Sequence, residues 1–154
     1  MAKTQTRLYR GVRKESFPDG VIVEEHAVPG VLYPSFTDSS HQTVVGGKAV
    51  TRTRPADVYP YLHGGREVID PGRGTSLFDK TNAFGSKHWW YFSIPEGTVI
   101  PDSLRIRHTG YNETYKAEHY QIEAATLRMQ LDAYKGALDN LARNAIVKRY
   151  EDAR

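Results

Sequence analysis

The stretch Gly72-Arg73-Gly74-Thr75-Ser76-Leu77-Phe78-Asp79 decides how the rest of this 154-residue chain is read. Its two glycines carry no Cβ, so the backbone there can approach a ligand closely. The hydroxyls of Thr75 and Ser76 follow, then Leu77 and Phe78, apolar residues that anchor the segment in a sheet. Asp70-Pro71-Gly72 leads in as a turn. A turn that delivers paired hydroxyls onto a buried strand suits a polar ligand such as a nucleotide ribose. The plainer reading is a glycine-rich turn that opens an ordinary strand.

Working outward, Arg66-Glu67-Val68-Ile69 and Thr75 to Phe78 read as short strands, and Trp89-Trp90-Tyr91-Phe92-Ser93-Ile94 as a strongly aromatic one. Leu104-Arg105-Ile106-Arg107-His108 alternates apolar and basic residues with the period of a half-buried strand. Thr109 to Glu113 then reads as a turn. In Ala117 to Glu123, Tyr120 and Ile122 point one way while His119, Gln121 and Glu123 point the other. A helix is predicted from Thr126, as N-cap, to Glu151, with Leu127, Leu131, Tyr134, Leu138, Leu141 and Ala145 as its apolar stripe. Toward the N-terminus, Leu8-Tyr9-Arg10-Gly11-Val12 and Val21 to Glu25 read as a hairpin across the turn Phe17-Pro18-Asp19-Gly20. Residues 27 to 66 are rich in proline and glycine and read as loops with a helix near Ala56 to Leu62. So long a loop-rich stretch points to a cleft lining or a lid. The fold class is α+β, a single domain over residues 1–154, mostly antiparallel sheet closed by a long C-terminal helix.

Composition sets the outer bounds. Hydrophobic residues make up 39% and charged residues 25%, the balance of a soluble globular protein. The net charge of +3 is compatible with nucleic acid or an anionic cofactor. There is no cysteine, which excludes disulfides, zinc-thiolate sites and thiol nucleophiles. The six histidines form no i,i+4 pair and no close ligand cluster, so no metal is expected. Gly46-Gly47-Lys48-Ala49 lacks the spacing and the hydroxyl of a phosphate loop. No run is long and apolar enough for a membrane span, and Met1 to Arg7 leads into a strand pattern without an apolar signal core. Trp89 to Phe92 offers rings that could stack on bases, although core packing is the commoner role. Arg10 stands mid-strand among apolar residues and requires an anion, a carbonyl or an internal acid such as Glu123, because an unpaired buried charge is costly.

Taken together, Leu8-Tyr9-Arg10 on a first strand, Gly74-Thr75-Ser76 on a middle strand and a polar late strand resemble the Arg, Ser-Thr-Ser and Glu motifs of ADP-ribosyltransferases. The similarity is closer to one branch, the antibacterial toxins of ADP-ribosyltransferase-like fold delivered by the type VI secretion system. Gly74 to Asp79, Ile94-Pro95-Glu96-Gly97-Thr98-Val99-Ile100-Pro101, His119-Tyr120-Gln121-Ile122 and Leu138-Asp139-Asn140-Leu141-Ala142-Arg143-Asn144-Ala145-Ile146 match in the family's order. Residues 13 to 66 show little of it.

The resemblance implies a split antiparallel sheet or sandwich, with NAD as substrate and no metal. It implies an intracellularly acting toxin that ADP-ribosylates an unspecified macromolecule, with NAD hydrolysis alone as a variant. Arg10, Gly74, Thr75, Ser76, Phe78, His119 and Gln121 would bind NAD. Ser76 and Glu123 would act in catalysis, and Phe78, Tyr111 or Tyr115 would stack near the nicotinamide. It further implies a cognate immunity protein, a secretion-system delivery component, no membrane partner, and release without a signal peptide into the cytoplasm of a target cell. The rival reading from another class is a non-enzymatic nucleic-acid-binding domain built on Arg105-Ile106-Arg107 and the Trp89-Trp90 pair.

Overall fold

The aromatic strand that the sequence marks most clearly takes the N-terminal strand as its partner. In the computed structural model, which describes residues 1–154, β1 (Leu8–Arg13) runs antiparallel to β9 (Trp89–Ile94) from Leu8 opposite Ile94 to Arg13 opposite Trp89. The predicted N-terminal hairpin therefore does not form. Lys14–Ser16 turns as a short 3-10 helix, Trp90 Nε1 donates to the Phe17 carbonyl at 2.9 Å, and the chain is drawn away from β1. Residues 21 to 25 give only β2 (Ile22–Val23), paired with β3 (His26–Ala27).

The 27–66 stretch is more regular than its composition implies. β4 (Ser39–Val45) and β5 (Lys48–Arg54) make an exposed hairpin, and β6 (Tyr61–His63) pairs with β7 (Arg66–Ile69). Gly46 and Gly47, at φ 58° and 80°, form the two-residue loop of the longer hairpin, a geometry that favours glycine. No helix forms at 56–62. Pro55 and Pro60 bracket that segment, and side chains take its amides: Asp38 accepts from Ala56 N at 2.9 Å and Ser35 Oγ from Asp57 N at 2.8 Å.

The central sheet is completed by β8 (Gly74–Phe78), β10 (Leu104–Asn112) and β11 (Ala117–Ala124), in the order β10-β11-β8-β1-β9. The expected turn at 109–113 is instead a continuation of β10 through a bulge between His108 and Gly110. Gly74 allows β8 and β11 to close on each other, because a Cβ there would lie 1.7 Å from the Ile122 carbonyl oxygen.

β12 (Met129–Gln130) adds to β7, and α1 (Leu131–Asp152) follows directly. The helix thus starts four residues later than predicted, with Gln130 and not Thr126 at its N-cap. Asp70 holds the Arg128 amide at 3.0 Å in the intervening turn, which leaves Leu127 exposed and off the apolar stripe. The buried face is Tyr134, Ala137, Leu138, Leu141, Ala142, Ala145 and Ile146. These residues share one core with Leu8, Val31, Leu32, Phe92, Ile94, Leu104 and Ile122. The α+β class with a closing helix is the observed one. No helix is long and apolar enough to cross a membrane.

Candidate active site

The site arises where the sheet comes apart. β1 and β8 share a single paired position, Tyr9 opposite Phe78. On one side β1 stays with β9, and on the other β8 stays with β11, so the sheet is split between Arg10 and Ser76. A cavity of about 640 Å³ occupies the split, within the range of ordinary small-molecule sites. Arg10, Tyr33, Asp57, Ser76, Phe78 and His119 are among its walls.

Arg10 meets no carboxylate. Its Nη2 donates to the Tyr33 carbonyl at 3.0 Å and its Nη1 to the Ser76 carbonyl at 3.4 Å, while Nε is buried without a partner. Burial pushes the guanidinium down to about 10, against a partial pull upward from Asp57. A desolvated cation with a donor left over suits an anionic ligand such as a pyrophosphate. Carbonyls, and not Glu123, are its protein partners.

Tyr33 is held from the far side by α1. Asp139 accepts from the Gly30 amide at 3.0 Å and from the Tyr33 hydroxyl at 2.7 Å. Burial and that bond push the Tyr33 hydroxyl up to about 12. Thr75 tethers the same loop, donating to the Leu32 carbonyl at 2.6 Å. Of the Gly74-Thr75-Ser76 run, only Ser76 reaches the cavity; Gly74 and Thr75 are buried in the strand contact and the loop tether.

One wall is aromatic. Phe78 meets Phe84, Tyr115 and His119 edge to face with centroids 5.6, 5.5 and 5.2 Å away, and Phe84 meets Trp89 at 4.6 Å. Such a wall suits a planar heteroaromatic ring. Tyr111 is exposed and is not part of it. His119 Nδ1 is hydrogen-bonded to Thr109 Oγ1, and burial together with the nearby Arg107 lowers its pKa, so the imidazole is neutral at pH 7.

Glu123 lies elsewhere. It is fully buried on the same strand face as His119 but does not line the cavity. Arg105 pairs with Oε1, while Arg107 at 3.3 Å and Gln121 at 2.7 Å donate to Oε2. Burial alone pushes its carboxyl up, but the bonds from Gln121, Arg107 and Arg105 outweigh it and hold the group below the ordinary value. Arg105 and Arg107 are therefore committed to Glu123. The Trp89-Trp90 pair is split as neighbours on a strand must be: Trp89 faces the cavity and Trp90 packs on the core beneath Lys14, 4.3 Å from its ring. This leaves no flat stacking platform.

A family profile described as Tse2 ADP-ribosyltransferase toxin matches residues 2–150. The toxin Tse2 of Pseudomonas aeruginosa is 34% identical over 164 residues, covering 99% of this chain and 95% of that protein. The chain belongs to the Tse2 ADP-ribosyltransferase toxin family. The resemblance read from the short motifs is borne out, and the match extends through residues 13 to 66, where the sequence alone offered little. Membership makes this chain an NAD-dependent ADP-ribosyltransferase toxin, with NAD as substrate. The walls are chemically suited to such a substrate: a desolvated arginine with no carboxylate partner, and an aromatic face. Sequence reasoning missed Tyr33, Asp57, Phe84 and Asn112 as lining residues. For the first two, the loop-rich composition of 27–66 was the only available signal.

Proposed function

We propose that NAD lies in the split between β1 and β8, and that its ADP-ribose is transferred from there to an intracellular macromolecule of the target cell. The observation that carries this reading is Arg10, a cation with no carboxylate partner and one unused buried donor at the wall of the cavity. Its fork would hold a phosphate. Ser76 would place the nicotinamide ribose, and Phe78 with Tyr115 would face the nicotinamide ring. Breaking the nicotinamide–ribose bond leaves an oxocarbenium-like sugar and neutral nicotinamide, so the protein's work is placement and electrostatic support.

His119, neutral at pH 7, would take the proton that the acceptor gives up. Gly74 and Thr75 would act through the backbone, by setting the strand and loop that carry Ser76 and Tyr33. Glu123 would act through Gln121 and Arg107, holding them beside His119. Delivery by type VI secretion, action in the target-cell cytoplasm and neutralisation by a cognate immunity protein complete the proposal. Their support is the toxin family and the likeness to a Pseudomonas aeruginosa toxin.

The test is incubation of purified protein with NAD labelled in its adenylate half, together with cell extract, following free nicotinamide and label in macromolecules. Transfer predicts both signals. Nicotinamide release without incorporation would reduce the activity to NAD hydrolysis. Neither signal from folded protein would refute the reading.

A further inference from the structure

The β4–β5 hairpin adds nothing to the core: none of its residues is buried, and every one but Thr43, which is half-buried, is exposed. An isolated two-stranded hairpin is at best marginally stable in water, so a fold has no internal use for this one. Its charges are also sorted. Residues opposite each other on an antiparallel pair share a face. One face therefore carries Ser39 with Arg54, His41 with Arg52, Thr43 with Val50 and Val45 with Lys48. The other carries Ser40 with Thr53, Gln42 with Thr51 and Val44 with Ala49. All three permanent cations lie on the first face, and no acid occurs between Ser39 and Ala56.

Arg52 and Lys48 have no acidic partner, and Arg54 meets Asp57 only at 3.9 Å. Ser39 and Arg54, at the base of that face, are walls of the cavity that holds Arg10. A strip of positive charge thus leads from the hairpin tip into the site.

We propose that this face is the docking track for a nucleic-acid acceptor, an inference that rests on NAD occupying the cavity. Arg52 and Arg54 are about 7 Å apart along the strand, and Lys48 is about 14 Å beyond Arg52. Seven-residue strands extend about 24 Å, a length that several nucleotides of a single strand would cover. Interleaved Ser39 and Thr43 supply neutral donors to phosphate oxygens, and Val45 and Val50 give apolar contact to sugars or bases. An acidic protein surface would match the charge, but uninterrupted cations of one sign, spaced among hydroxyls, favour a phosphate backbone. The step balances: the nicotinamide–ribose C–N bond breaks, neutral nicotinamide leaves with the bonding pair, C1′ of the ribose accepts a lone pair from a nitrogen or oxygen of the acceptor, and one proton is released.

The test variant is K48E/R52E, which leaves every cavity-lining residue intact. Wild type should bind a fluorescent single strand of about twelve nucleotides with a log–log salt slope near −2, about 0.7 for each of three cations. The variant should bind at least about tenfold more weakly, with most of that slope gone. In the labelled-NAD assay, wild-type label should enter nuclease-sensitive material, and the variant should lose that incorporation while still releasing nicotinamide. Label entering protease-sensitive material, or unchanged strand binding in the variant, overturns the proposal. A wild type that releases no nicotinamide counts against the NAD reading, and the strand-binding measurement then still decides the hairpin.

Discussion

Arg10→Ala separates a functional role for this arginine from a structural one, because the two roles predict opposite pairings of stability and affinity. Burial lowers the guanidinium to about 10. Against an ordinary arginine near 12.5, at about 1.36 kcal/mol per pH unit, holding the buried charge costs the protein about 3 kcal/mol at neutral pH. Removing the side chain relieves that cost. It also removes bonds to the Tyr33 and Ser76 carbonyls, at about 1.5 kcal/mol each for a charged donor. These nearly cancel, so apo stability should change by less than about 2 kcal/mol, or a Tm shift under about 8 °C for a chain of this length.

A phosphate against the same guanidinium recovers a similar 3 kcal/mol, so NAD affinity should fall by roughly two hundredfold. Calorimetric titration with NAD and a thermal melt of the apo protein give both numbers. An affinity loss below about tenfold would refute the anion-binding role. A Tm drop beyond about 10 °C would show that Arg10 is mainly a strut for the loop at Tyr33.

Four further outcomes follow from individual contacts. Gly74→Ala drives a methyl to 1.7 Å from the Ile122 carbonyl oxygen, between two paired backbones, and should cost at least about 3 kcal/mol; a Tm within about 3 °C of wild type would contradict that close approach. Glu123→Gln should lower nicotinamide release by less than about tenfold, whereas a loss of a hundredfold or more would restore Glu123 as a direct acid or base. Because the folded Glu123 carboxyl titrates below its unfolded value, its stabilisation is present above about pH 4.3 and is lost on acidification. Urea melts between pH 3 and pH 7 should therefore show a steeper acid loss in wild type than in Glu123→Gln. Asp139→Ala breaks two bonds that hold Gly30 and Tyr33, so it should destabilise by about 1–3 kcal/mol and weaken NAD binding less than Arg10→Ala does; unchanged affinity would detach α1 from the site.

The sequence by itself determined the elements whose pattern is local. Alternation in Leu104 to His108 and Ala117 to Glu123, the aromatic run at Trp89 and the four-three spacing of the terminal helix each follow from one residue and its near neighbours. The motif run at Gly74 to Phe78 and Arg10 on the first strand were legible for the same reason. Turn chemistry was half legible: the composition of 27–66 announced reversals, but Gly46-Gly47 and Gly64-Gly65 close hairpins because of which strands they join.

Only the tertiary structure decided pairing and partnership. β1 chose β9 over residues 21–25 because a six-position ladder against an aromatic strand buries far more than a local hairpin does. The helix lost its first turn to β12, since an edge of β7 was available to Met129 and Gln130. Glu123 and Arg10 were both readable as buried charges, but their partners were not. Arg105 and Arg107 come to Glu123 from the neighbouring strand, and the split between β1 and β8 leaves Arg10 facing carbonyls and a cavity. A charge announces itself in sequence, but the groups that neutralise Glu123 lie across a strand pair, 16 and 18 residues away along the chain.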